Sequence, residues 1–201
     1  MNNGFYWVIY MAAHSRFTIF IKKIRLSLDS SENYMILLGD VGANFALTGQ
    51  RDHKFKSELS KLPFTFICLR GNHEARVKTV IDKNPDSWET ISKYDGSIFV
   101  EKEFPHIEYL ADGPAVYNFK SYKSLPGAYS VDKYYRQARH LTWYKDEQLN
   151  EKEMELGRKL CRNEAPFDLV LSHTCPYLYE PTDLFLAGLD QSTVDSTMDR
   201  I

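Results

Sequence analysis

Apolar residues occur in short blocks along this chain, and several of the blocks end in a small polar cluster. A short block of near-continuous apolar residues is typical of a strand that is covered on both faces of a sheet. Blocks with a helical spacing of apolar positions separate some of them. The pattern predicts strands at 5–11, 34–38, 64–69 and 168–171, with helices at 17–28, 52–61 and 146–161.

The order of these elements indicates the fold class. Strand and helix alternate early, short β-like pieces follow at 97–100 and 115–119, and a helix and a strand come last. This order predicts an α/β sandwich of mixed β-sheets flanked by helices. With 201 residues, 43% of them hydrophobic and 26% charged, the chain predicts a single soluble globular domain over 1–201. The stretch 190–201 begins like a capped helix, and we therefore expect the C-terminal part of the domain to be missing.

Composition and charge argue against several classes of protein. The formal net charge of −2 argues against a dedicated nucleic-acid or anionic-membrane binder, which would carry a basic surplus. The apolar segment 5–13 lacks the basic flank of a signal peptide, and no window approaches the roughly 20 apolar residues of a membrane span. Three widely spaced cysteines form no disulfide framework and no zinc-type pair, so we expect a cytoplasmic protein.

Three polar clusters follow three of the predicted strands. Gly39–Gly42 follows the strand at 34–38, Gly71–Glu74 the strand at 64–69, and Ser172–Thr174 the strand at 168–171. Open α/β sheets place their sites at the carboxyl edge of the strands. We therefore expect Asp40, Asn72 and His173 to lie close together.

These side chains suit metal chemistry. The carboxylate of Asp40 can bridge two cations, and the amide of Asn72 and the imidazole of His173 are reasonable ligands for Mn, Fe or Zn. His73 is available as a general acid, and the guanidinium of Arg70 fits phosphate oxygens bidentately. Together they predict a two-metal hydrolytic site, in which paired cations activate a water and hold a phosphoryl group.

The same residues carry a family resemblance. Gly39-Asp40-Val41-Gly42, Arg70-Gly71-Asn72-His73-Glu74 and Ser172-His173-Thr174 resemble, in order and spacing, the motifs of the calcineurin-like metallophosphoesterase superfamily. The segment 127–136 is similar to small bacterial or phage members. The resemblance implies a hydrolase, a phosphatase that uses divalent Mn, Fe or Zn, in which Asp40 bridges two metals, Asn72 and His173 bind the second, and His73 protonates the leaving group.

The sequence departs from the superfamily at the first and at the last of its motifs. The superfamily opens with an Asp-x-His pair that binds the first metal, and here the matching positions are Ala12 and His14. It closes with a Gly-His-x-His element, and none occurs before Ile201. The first metal keeps His14 and Asp40, and the second keeps Asp40, Asn72 and His173. We expect the second site to bind weakly and the first scarcely at all.

Two interpretations therefore stand. The first is a phosphoesterase acting on a phosphorylated small molecule, a nucleotide or a phosphoprotein, with impaired activity. The second is a catalytically degenerate member or fragment with a binding or structural role. A third interpretation, a nucleotide-binding module without hydrolysis, is disfavoured because the sequence contains no glycine-rich phosphate loop of the usual kinds.

The remaining candidate side chains are expected to be structural or exposed. Cys175 has no base near it in sequence, so a nucleophilic role is not expected. The expected solvent-facing residues are His53, His106 and His140. A substrate-pocket lining and an exposed amphipathic turn are both open for Tyr134, Tyr135, Arg136 and Arg139, and the exposed turn is favoured.

Overall fold

A computed structural model describes residues 6–9, 33–47, 50–118, 122–130, 132–162 and 169–175 of the chain. These residues form nine strands and four α-helices. The strands are β1 (Tyr6–Ile9), β2 (Tyr34–Leu38), β3 (Thr65–Leu69), β4 (Trp88–Lys93), β5 (Gly96–Glu101), β6 (Ile107–Tyr109), β7 (Ala115–Tyr117), β8 (Tyr122–Leu125) and β9 (Leu169–Ser172). The helices are α1 (Gln50–Leu59), α2 (Val77–Lys83), α3 (Lys133–Ala138) and α4 (Glu151–Arg162), and a 3₁₀ turn spans Pro85–Ser87.

Two sheets organise the fold. The larger has six strands in the order β1-β2-β3-β6-β5-β4, and the smaller has three in the order β7-β8-β9. Strands β1, β2, β3 and β6 run parallel, while β5 and β4 continue the sheet antiparallel. In the smaller sheet β8 pairs antiparallel with β7 and parallel with β9. The predicted sandwich of mixed sheets with flanking helices is confirmed.

The pleat of β2 and β3 explains their continuous apolar sequence. Successive side chains of a strand point to opposite faces of the sheet, so a strand covered on both sides needs apolar residues throughout. Met35 and Leu37 enter one core cluster and Ile36 enters the other. The first cluster includes Phe55 and Leu59 of α1, whereas the second includes Leu171 of β9. Helix therefore covers one face, and the smaller sheet covers the other.

The predicted element bounds differ from the structure in instructive places. The helix predicted at 146–161 begins at Glu151, because Asn150 caps it. Asn150 Oδ1 accepts the backbone N–H of Glu153 at 3.0 Å, and the Glu153 carboxylate accepts the N–H of Asn150 at 2.9 Å. This reciprocal pair is a capping box, which fixes where a helix starts. The helices predicted at 17–28 and from 190 lie outside the described residues.

Within the described residues, no helix has both the length and the apolar content to cross a membrane.

Candidate functional site

The loops after β2 and β3 meet at a point where two glycines are required. Gly39 has a φ of +88°, and a Cβ there would overlap the imidazole of His173. A Cβ on Gly71 would likewise overlap the carboxylate and the backbone of Asp40. Because glycine lacks that atom, the two loops and His173 can approach closely. The glycines that end these strands thus bring the polar residues together.

The side chain of Glu74 links the same two loops through hydrogen bonds. Its Oε1 accepts the backbone N–H of Val41 and that of Gly71, each at 3.1 Å. The side chain is buried, and burial, followed by the charge of Asp40, raises the pKa of Glu74 to about 7 against the opposing effect of these hydrogen bonds. One carboxyl group therefore fixes the relative position of both loops.

Asn72, His173 and Asp40 come together as the sequence predicts; we call these three residues the site cluster. His173 Nε2 lies 2.8 Å from Asn72 Oδ1 and 3.5 Å from Asp40 Oδ1. All three arrive from different segments: Asp40 follows β2, Asn72 follows β3, and His173 follows β9 of the smaller sheet. Contact between the two sheets is therefore needed to assemble the cluster.

The hydrogen bonds of His173 fix its ring. Nδ1 lies 2.7 Å from the carbonyl oxygen of Leu38, which can only accept, so Nδ1 carries a proton. In the neutral ring Nε2 then presents its lone pair to Asn72 Oδ1. With the amide oxygen of Asn72 facing this nitrogen, two electron-pair donors lie next to each other, an arrangement suited to a cation that both atoms coordinate. An imidazole whose other N–H is donated to a backbone carbonyl is the usual arrangement of a metal-binding histidine.

The donor set fits one divalent cation. Carboxylate oxygen, amide oxygen and imidazole nitrogen suit Mn, Fe or Zn. Ligand atoms each roughly 2.1 Å from one ion lie about 3 Å apart, comparable to the observed separation of Nε2 and Oδ1. Among the described residues, however, no group of three or more His, Cys, Asp or Glu side chains could hold a metal ion. The site cluster supplies two side chains of these types, and its third is an amide.

Asp40 also holds His73. Asp40 has a φ of 52°, and its Oδ1 accepts the backbone N–H of His73 at 3.0 Å. The His73 ring lies beside it, with Nδ1 3.5 Å from Asp40 Oδ2. The His73 side chain is 34% exposed, whereas that of His173 is only 5% exposed. His73 is therefore the histidine of this site that a molecule in solvent can reach.

Arg136 lies closer to the site than the favoured exposed turn places it. Its side chain is only 16% exposed, in contrast to the exposed Tyr134 and Tyr135. Its Nε contacts Asp132 at 2.8 Å, its Nη1 donates to the carbonyl of Thr142, and its Nη2 lies 3.4 Å from His73 Nδ1. The one available signal was its place in the segment 127–136, which carried part of the family resemblance.

Arg70 has a more internal position than a phosphate-binding residue needs. It is buried, and its guanidinium donates to the backbone carbonyls of Gly71, Glu147 and Asp112 at 3.2, 2.8 and 3.4 Å. Burial, followed by the charge of Arg76, lowers the pKa of Arg70. These bonds direct Nη1 and Nη2 to backbone carbonyls, and the predicted contact of Arg70 with substrate stays a prediction.

The other predicted residues have simple outcomes. His53, His106 and His140 are exposed, as are Tyr134 at 62% and Tyr135 at 59%. Cys175 is a free thiol of intermediate burial. His14 and Ala12 lie outside the described residues, so the expected first-metal site has no description beyond Asp40.

Comparison with known proteins places this site in a family. The family model described as calcineurin-like phosphoesterase matches residues 13–194. No curated protein and no solved structure matches the chain. The match covers all three polar clusters that form the site.

Proposed function

The chain belongs to the calcineurin-like phosphoesterase family, and we propose that it hydrolyses a phosphate monoester or diester at the site cluster. One observation carries the proposal most strongly. His173 Nε2 lies within 3.5 Å of both Asp40 Oδ1 and Asn72 Oδ1, although the three residues come from separate loops of two sheets. Such convergence of an amide, a carboxylate and an oriented imidazole favours cation binding over an ordinary polar turn.

The site cluster would hold one divalent cation, with Asp40 also available to a second. Such a cation, when bound, stabilises negative charge on phosphoryl oxygens and makes water more acidic. The family generally uses two metals. In this chain the imidazole of His173 is already oriented by Leu38, so little rearrangement is needed for binding.

His73 is the proposed proton donor to the leaving group. Its ring is partly exposed, and its Nδ1 lies 3.5 Å from Asp40 Oδ2, so the carboxylate holds the ring at the edge of the site cluster. A proton transferred from His73 to the departing alkoxide neutralises the charge that develops when the P–O bond breaks. Asp40 therefore has two tasks in the proposal, because it also orients this ring.

Arg136 is the proposed phosphate-binding residue. The buried guanidinium of Arg70 would add positive charge further inside the protein. Nη2 of Arg136 lies 3.4 Å from His73 Nδ1. A phosphate ester whose bridging oxygen takes a proton from His73 would therefore lie next to this guanidinium. Asp132 and Thr142 hold the other side of the guanidinium. A guanidinium fixed in this way can offer its remaining N–H groups to a phosphate oxygen with little loss of side-chain freedom.

The substrate is proposed to be a phosphorylated small molecule, a nucleotide or a phosphoprotein. The exposed rings of Tyr134 and Tyr135 lie on the same short helix as Arg136, so they are candidates to contact the part of the substrate beyond the phosphate.

An assay of an aryl phosphate and its diester with Mn²⁺ tests the proposal. We expect His73→Asn to lower kcat by about 10² or more, the contribution typical of a general acid. The matched control is His106→Asn, which changes an exposed histidine far along the chain and should leave kcat unchanged. Equal activity of the wild type and His73→Asn would contradict the assignment of the proton donor.

A second function is favoured by one observation, the alanine at position 12. Without the family's carboxylate there, the chain could act as a degenerate member that keeps the scaffold for a binding or structural role. Ala12→Asp separates the two functions. Activity that appears only in this variant would favour the degenerate interpretation, whereas activity of the wild type that depends on His73 favours the enzyme.

A further inference from the structure

Asn72 is held by a buried chain of hydrogen bonds that ends at a carboxylate. Its Nδ2 donates to Ser130 Oγ at 2.8 Å, and Ser130 Oγ donates to Glu147 Oε2 at 2.5 Å. Glu147 also accepts the backbone N–H of Ser130 through Oε1 at 2.9 Å. The exposed fractions are 9% for Asn72, 2% for Ser130 and 3% for Glu147. Water therefore has little opportunity to replace any of these bonds.

The chemistry of the groups gives this chain a direction. An ionised carboxylate only accepts hydrogen bonds, so the Ser130 hydroxyl must give its proton to Glu147. The lone pairs of that hydroxyl are then left to accept from Asn72, which must present Nδ2 rather than Oδ1. The amide oxygen of Asn72 therefore faces His173. An inverted amide would place two acceptor oxygens against each other at Ser130.

Glu147 is itself anchored next to the metal-binding motif. Arg70 donates from Nη1 to the carbonyl oxygen of Glu147 at 2.8 Å, and the Arg70 carbonyl accepts the N–H of Gly127 at 2.9 Å. Gly127 has a φ of +79°, and a Cβ there would lie 2.5 Å from the Glu147 carbonyl oxygen. Arg70 thus ties the segments that carry Ser130 and Glu147 to the loop after β3.

We propose that Ser130 and Glu147 are positioning residues that hold the Asn72 carboxamide with its oxygen toward the cation, and so set the cation affinity of the site cluster. This inference rests on the proposed function, because it presupposes a cation at Asn72. The buried carboxylate of Glu147 adds a second effect. Its negative charge lies behind the amide dipole and strengthens the negative end that faces the cation.

Isothermal titration of the metal-free protein with Mn²⁺ tests the inference without any activity measurement. We expect Ser130→Ala to weaken the Kd by about 10- to 100-fold, the range typical when a partner of a metal ligand is removed. Ser124→Ala is the matched control. Ser124 is a fully buried serine of β8 whose hydroxyl donates to the Ala115 carbonyl at 3.4 Å, so its loss should leave the Kd unchanged.

Glu147→Gln tests the direction of the chain while preserving its shape. The glutamine oxygen can still accept from the Ser130 backbone, but its Nε2 then donates to Ser130 Oγ. The hydroxyl proton becomes free to point at Asn72, and the carboxamide is no longer fixed in one orientation. We expect a similar weakening of the Kd for Mn²⁺. This variant also serves if Ser130→Ala does not fold.

Asn72→Ala distinguishes failure of the inference from failure of the proposed function. If Asn72→Ala weakens Mn²⁺ binding while Ser130→Ala and Glu147→Gln bind like the wild type, the positioning role is wrong and the cation site stands. If Asn72→Ala also binds like the wild type, the cation site itself is wrong. Equal weakening in Ser124→Ala would likewise overturn the inference, because the effect would then be general.

Discussion

Replacing Glu74 by glutamine should change how the stability of this protein depends on pH. Both backbone bonds of Glu74, to the N–H groups of Val41 and Gly71, go to the same oxygen, Oε1. A glutamine can keep that oxygen in place and put its nitrogen where Oε2 was. The substitution therefore removes the charge of the buried group while it leaves the link between the two loops.

The magnitude follows from the pKa. Burial, followed by the charge of Asp40, raises the pKa of Glu74 from its ordinary value of 4.5 to about 7. A difference of about 2.5 pKa units corresponds to roughly 3 kcal/mol. The folded protein holds this proton more tightly than the unfolded chain does. The stabilisation is thus fully present below pH 4.5, and it is lost as the pH rises through about 7.

Urea unfolding of metal-free wild type and Glu74→Gln at pH 5 and pH 8 measures the effect. We expect the free energy of unfolding of the variant minus that of the wild type to be about 2–3 kcal/mol larger at pH 8 than at pH 5, because only the wild type loses stability over this range. Glu108→Gln is a useful contrast, because Glu108 is a buried glutamate paired with Lys93 at 2.5 Å. It should be less stable than the wild type at pH 8. A Glu74→Gln difference that does not depend on pH would refute the reasoning.

Three further substitutions test other parts of the structure. Gly39→Ala should lower the free energy of unfolding by about 1–2 kcal/mol or more, since a non-glycine residue is strained at a φ of +88° and its Cβ would overlap His173; it should also weaken Mn²⁺ binding, and unaltered binding would contradict this geometry. Leu171→Ala should cost about 2–5 kcal/mol in urea unfolding, because Leu171 is 2% exposed in the core between the sheets; a loss below 1 kcal/mol, by the same principle, would argue against that packing. The pKa of Glu153 is lowered: burial alone would raise it, but hydrogen bonds from Arg76 and from the backbone of Asn150 outweigh that effect. The wild type should therefore lose more stability than Glu153→Gln as the pH falls below 4.5. Parallel profiles of unfolding free energy against pH for the two proteins would exclude this linkage.

The elements nearest the site were predictable from local sequence. Continuous apolar runs identified β2 and β3, and the glycines after them identified where the chain turns. These features are local because a strand buried on both faces and a glycine at a close approach each restrict the residue type at the position itself. The meeting of Asp40 and Asn72 followed, since parallel strands bring their carboxyl ends to one edge.

The surroundings of the site could not be predicted in the same way. Strand β6 enters the sheet between β3 and β5, and its three residues carry no periodicity of their own. Glu147 lies 17 residues from Ser130, and Arg136 lies 63 residues from His73. Nothing within a short window of sequence distinguishes such residues from ordinary exposed polar positions. Their roles arise only when distant segments pack together.

The amino-acid sequence by itself determined the family, the sandwich of mixed sheets and the three residues of the site cluster, because each depends on residue types at short spacing. Only the tertiary structure decided that Arg70 is buried against backbone carbonyls, that Arg136 lies beside His73, and that a serine and a glutamate form a hydrogen-bonded chain with the amide of Asn72. The physical reason is that burial and hydrogen-bond direction belong to pairs of groups brought together by folding, and the sequence records the members of each pair without recording that they meet.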